Sequence, residues 1–184
     1  MQTKTSKLKN LDFLHQLIEQ NLSEQMIITL NKWFFDSLKY DSIELKNASF
    51  NLQLNTRNFY KSLLQNTKLN LIINKPQYSL ESSLPNITAE EAKLEIVDSK
   101  ALLSFKQPLY ANNNLEGSNL SFVLEDEIPT LHIALLSNHL IYNQELKQML
   151  HHFGIAIPVD SIQGNITGDI LISLGFAPNA TNVG

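Results

Sequence analysis

The chain has 184 residues, 43% of them hydrophobic and 17% charged, with a net charge of −4. That length supports one domain with a core, that composition is not one of a disordered chain, and that charge argues against a nucleic-acid partner, which needs clustered Lys and Arg. Cysteine is absent, which excludes disulfides and thiolate chemistry without fixing a compartment, and no apolar run approaches the roughly 18 residues of a membrane span.

The basic residues at the start, Lys4, Lys7 and Lys9, read as a short solvated tail. Asp12 and His15 interrupt any secretory apolar core. A chain working outside the cytoplasm would then carry its export signal elsewhere and be a segment of something longer. Leu11, Leu14, Ile18 and Leu22 recur at helical spacing. Ser23 offers an N-cap, and Ile27, Leu30, Phe34 and Leu38, widened by Trp33 and Phe35, form a second stripe. Residues 8–40 are therefore expected to hold two amphipathic helices joined at Asn21–Ser23.

From Asp41 the period changes to two. Ile43 and Leu45 alternate, then Ala48, Phe50, Leu52 and Leu54 on the opposite parity, so a bulge or break is expected near Lys46–Asn47. Residues 55–66 suggest a short helix around Phe59 and Leu63. Strands are expected at Leu69–Ile73, Ala92–Ile96, Ala101–Phe105, Leu109–Leu115, Leu120–Leu124 and Leu131–Leu135, with a hairpin turn at Asp98–Ser99. Asn143 should cap a late helix with Leu146, Met149, Leu150 and Phe153 on one side and Gly154 at its end.

The stretch from Ile162 to Phe176 alternates apolar and polar residues throughout. As one strand it would reach roughly 50 Å, so bending at Gly164 or Gly168, or an unusually long sheet, is expected. The class is α+β: N-terminal amphipathic helices, a mostly antiparallel β-sheet and one late helix. It is a single segment, with a helical part over 8–40, a β-rich part over 41–176 and a tail over 177–184.

Little in the chain suggests catalysis. His151 and His152 are adjacent and would point about 100° apart on a helix, so they do not pair on a metal as residues four apart would. A favourable dipole contact at the helix C-terminus explains them. Glu90–Glu91 and Glu125–Asp126–Glu127 are acidic clusters, and the second, between two strands and beside Pro129, reads as a solvated turn. No phosphate loop and no serine elbow is present. An enzyme is not expected, nor a metal or cofactor.

The order of features from Trp33 to Phe176 resembles the AsmA-like family of bacterial envelope proteins, in particular its YhdP type. Four stretches carry the resemblance: the Trp33 helix running into SLKYDSIELKNASFNL; the strand run AKLEIVDSKALLSFKQPLYANNNLEGSNLSFVLED; the proline-led strand and helix IPTLHIALLSNHLIYNQELKQMLHHFGIAIPVD; and the Gly-centred strand SIQGNITGDILISLGF. The resemblance implies a curved, groove-like sheet whose apolar concave face carries phospholipid acyl chains between the inner and outer membranes. It implies a periplasmic location, an inner-membrane anchor outside this segment, and neighbouring segments of the same long chain as partners.

The residues expected to line such a groove are Leu94, Ile96, Leu103, Phe105, Leu120, Phe122, Leu124, Ile162, Ile166, Ile170, Ile172, Leu174 and Phe176. An acyl chain needs continuous apolar surface and no polar anchor, at about 0.8 kcal/mol per buried methylene. The alternative is a non-enzymatic structural or interaction module of the bacterial envelope, whose open strand edges pair with neighbouring segments. Apolar faces filled by the chain's own helices are what any sheet protein shows.

Overall fold

A computed structural model describes residues 6–19, 24–50, 67–97, 99–123, 130–158, 162 and 166–175. The helix expected within 55–66, the Asn21–Ser23 joint, Asp98, Leu124, Phe176 and the tail over 177–184 lie outside the described residues. The elements run β1 (Ser6–Leu8), α1 (Asp12–Glu19), α2 (Glu24–Leu30), a π-helical turn (Asn31–Phe35), β2 (Leu38–Lys39), β3 (Ser42–Phe50), β4 (Thr67–Asn74), β5 (Gln77–Tyr78), β6 (Ile87–Thr88), β7 (Glu91–Val97) and β8 (Lys100–Lys106). They continue with β9 (Leu109–Tyr110), β10 (Asn113–Asn114), β11 (Asn119–Val123), β12 (Thr130–Leu140), α3 (Gln144–His152) and β13 (Ile166–Gly175).

The body is an open eight-stranded sheet in the order β1-β3-β4-β7-β8-β11-β12-β13. Every pairing in it is antiparallel. Alternation places the apolar residues of each strand on one face. In register they form a row that crosses the sheet, Leu45–Leu71–Leu94–Leu103–Leu120–Ile133–Ile172. A second row, Leu69–Ile96–Ala101–Phe122–Leu131, lies beside it. The parity change near Lys46 is a register shift between Leu45 and Asn47 in the pairing of β3 with β4. The bend expected at Gly168 takes a different form. The extra residue sits on β12, between Ser137 and Leu140, opposite Gly168 and Ile166.

A second sheet of two-residue strands, β10-β9-β6-β5-β2, covers part of that face. Its strands are continuations of the long ones. β4 passes through Lys75 (φ 48°) and buried Pro76 into β5, and β8 passes through Gln107 (φ 54°) and buried Pro108 into β9. Left-handed backbone before a proline turns each strand out of the large sheet. Backbone bonds from Lys75 N to Glu90 O (2.9 Å) and from Glu90 N to Lys106 O (3.1 Å) hold the two corners together. The stretch Leu109–Leu115, expected as one strand, is instead the β9–β10 hairpin. Ala111 (φ 46°) and Asn112 (φ 67°) supply the two positive φ angles that its tight turn requires.

The remaining cover is helical. Leu11 and Leu14 at α1, Leu30 of α2, and Leu146, Met149 and Leu150 of α3 are buried against the sheet's core. Each such side chain contributes about 1.5–3 kcal/mol on removal from water. Residues 8–40 are not helical throughout. Leu8 ends β1, which pairs with β3, and α2 widens into the π-helical turn, closed by a bond from Asp36 N to Asn31 O at 2.8 Å. That wider turn brings Trp33, Phe34 and Phe35 all into contact with the core. At α3 the Asn143 side chain accepts a hydrogen bond from Leu146 N at 2.9 Å, and Gly154 (φ 74°) ends the helix.

Candidate apolar binding site

The two apolar rows meet the helical cover at a cavity of about 80 Å³. Its floor is Leu94 and Ile96 of β7, Ala101 and Leu103 of β8, Leu120 and Phe122 of β11, and Leu131 of β12. Its roof is Leu14, Leu30, Trp33, Phe34 and Tyr78, with Thr67 at the start of β4 also on its wall. The void has a local cause. Ala101 stands between Ile96 and Phe122 in the second row, so one short side chain sits where its neighbours are long.

Among the described residues, the hydroxyl in the roof is tied up. Tyr78 Oη donates to the Trp33 carbonyl at 2.6 Å, and burial pushes its phenol far above the ordinary value. This bond joins the second sheet to the π-helical turn. Tyr110 makes the equivalent link to α3, donating to the Glu145 carbonyl at 3.2 Å. Burial first, and the nearby Glu145 second, push its phenol up to about 12. Both phenols are neutral hydrogen-bond donors near neutral pH. The site therefore presents hydrocarbon and aromatic faces, with the Tyr78 hydroxyl already paired and Thr67 and Ser121 as its other hydroxyl-bearing lining residues.

The structure gathers some of the expected groove residues and separates others. Leu94, Ile96, Leu103, Leu120 and Phe122 line the cavity, and all are buried. Phe105 is buried at the opposite end of β8, away from the cavity. Ile170 and Ile172 lie on the same sheet face but on the edge strand β13, half-buried and outside the cavity lining. Ile166 and Leu174 lie on β13 opposite Leu140 and Leu131, and their side chains are outside the described set. Ile162 is half-buried and belongs to no strand, and Leu124 and Phe176 lie beyond the described residues.

Several lining residues were not singled out from the sequence. Leu14, Leu30, Trp33 and Phe34 were legible as a helical stripe but not as the roof of a void. Tyr78 sits in a two-residue strand, too short for any periodicity. Ala101 was the available signal, a small residue in a run of large ones.

Other chemistry-bearing side chains are dispersed. His132 is exposed on the far face of the sheet, 2.9 Å from Ser173 Oγ, as its alternation with Leu131 and Ile133 suggests. His151 and His152 are exposed at the end of α3. Among the described residues, no group of three or more His, Asp or Glu could hold a metal ion. Among them too, no helix is long and apolar enough to cross a membrane, which says nothing of strands. No protein-family model, no curated protein and no solved structure matches this chain.

Proposed function

We propose that this chain is a lipid-handling sheet segment, taking phospholipid acyl chains into the apolar layer between the large sheet and its helical cover. The observation that carries the reading is the cavity, lined almost wholly by hydrocarbon and lying on two apolar rows that continue across the sheet. A cavity of about 80 Å³ is smaller than the ~150 Å³ that holds benzene in a protein core. An acyl chain would therefore enter by displacing the roof formed by Leu14, Leu30, Trp33 and Phe34, not by filling a ready-made tunnel. The pattern resemblance to AsmA-like envelope proteins supports the same reading and suggests the periplasm, with the anchor and the adjoining segments outside this chain. No catalytic group is required.

A second reading has its own observation. Leu94 and Leu103 are each 2% exposed, so the expected groove lining is already covered by the chain itself. On that reading the segment is a non-enzymatic structural module of the envelope, and the cavity is a packing defect.

Native mass spectrometry of the purified chain, followed by lipid extraction, separates the two. The lipid reading expects co-purifying phospholipid that is lost in Ala101→Leu, a change that fills the void while the circular dichroism is retained. A lipid-free, stably folded chain that takes up no fatty acid on titration would leave the structural module.

A further inference from the structure

The two edges of the large sheet differ in kind. At one edge, β1 has three residues and carries the exposed Lys7, two of the usual devices against strand addition. At the other edge, β13 has ten residues, ITGDILISLG, with no Pro, no Lys and a single charge, Asp169. The bulge beside it lies on β12, so β13 itself is unbroken. Among the described residues it pairs on one side only. Its Leu171 is 74% exposed, more than any other large hydrophobic side chain among those described.

We propose that β13 pairs with β13 of a second copy of this chain, antiparallel about a two-fold axis centred on Leu171. The strand is complementary to itself in that arrangement. A two-fold axis between antiparallel edge strands stands normal to the sheet, so each face stays on its own side. Ile170 then faces Ile172 of the second copy, on the inner face where both are now half-exposed. Leu171 meets Leu171 on the outer face, and Asp169 falls opposite Ser173. Centring the axis on Asp169 instead would oppose two carboxylates directly, which is unfavourable. The Leu171 register thus buries the most exposed apolar side chain and sets no like charges against each other. It also continues the first apolar row, through Ile172 and then Ile170 and Leu135 of the second copy, across the junction. The pairing stands whether or not the cavity takes lipid.

Sedimentation velocity across a concentration series tests it, together with single spin labels made possible by the absence of cysteine. The chain should sediment as a dimer. Leu171→Lys places two ammonium groups on the axis and should shift the dissociation constant at least tenfold, with unchanged circular dichroism. Labels at Leu171→Cys should lie close enough to broaden one another. Labels at Thr167→Cys, each four residues from the axis, should lie about 26 Å apart along the strands. A monomer at every concentration, a dimer indifferent to Leu171→Lys, or short distances from both labels would overturn the proposal.

Discussion

The Tyr78 hydroxyl donates to the Trp33 carbonyl at 2.6 Å, and this one bond ties the second sheet to the aromatic roof above the cavity. Tyr78 is 1% exposed, so its hydroxyl has no water to fall back on. Removing the hydroxyl in Tyr78→Phe takes this donor from the Trp33 carbonyl and should cost about 0.5–1.5 kcal/mol in urea unfolding. The folded phenol is raised above its unfolded value of 10.0. Its contribution is therefore complete below pH 10 and is lost as pH rises through the folded value. Tyr78→Phe should flatten that part of the alkaline stability profile, and a profile as steep as the parent's would remove Tyr78 as its source.

Leu94 sits in the middle of the crossing row and on the floor of the cavity. Leu94→Ala should destabilise by about 2–5 kcal/mol, because the lost side chain adds its volume to an existing void. If the cavity takes acyl chains, a medium-chain fatty acid should restore more thermal stability to this variant than to the parent. Equal shifts in the melting temperature would show that the void is not used.

Asn113 is fully buried, and its side chain acts as a substitute strand. Its Oδ1 accepts from Ile141 N, and its Nδ2 donates to Ile141 O at 3.3 Å. It thereby fastens the β9–β10 hairpin to the segment entering α3. Asn113→Ala leaves Ile141 N without its acceptor, while Ile141 O keeps the bond from Asn143 N at 2.9 Å, and should cost about 1–3 kcal/mol. Amide exchange should quicken most at Ile141 and in the first turn of α3.

Asn143→Ala removes the cap that accepts from Leu146 N. It also removes the bond from Nδ2 to the Ala111 carbonyl at 2.7 Å. The capping loss alone is about 1 kcal/mol. A Ser replacement keeps the cap but cannot reach as an amide does, so Asn143→Ser should recover only part of the loss. Full recovery would show that the contact with Ala111 contributes nothing.

Much of the large sheet was legible because half-buried strands advertise themselves. Leu69, Leu71 and Ile73 alternate, their neighbours are polar or half-buried, and the register follows. The shift at Lys46 was visible as a change of parity, and α3 as a capped stripe between Asn143 and Gly154. The second sheet was not visible, because a strand of two residues has no period. What the apolar face packs against was equally hidden. A stripe such as Leu94, Ile96 reads the same whether it meets a ligand or Trp33 and Phe34. The cavity depends on which side chains face each other across layers, and that is a property of the fold and not of any one segment.

The proline corners set a direction. At Lys75–Pro76 and Gln107–Pro108 long strands run on into the second layer, so at that end the two layers are the same pieces of chain. They cannot part there without breaking strands. The cavity lies toward the other end, near Thr67, Ile96, Ala101 and Leu131, where no described strand crosses from one layer to the other. The protein is thus built like a folder with one bound spine, and any loosening that admits a guest begins at the unbound margin.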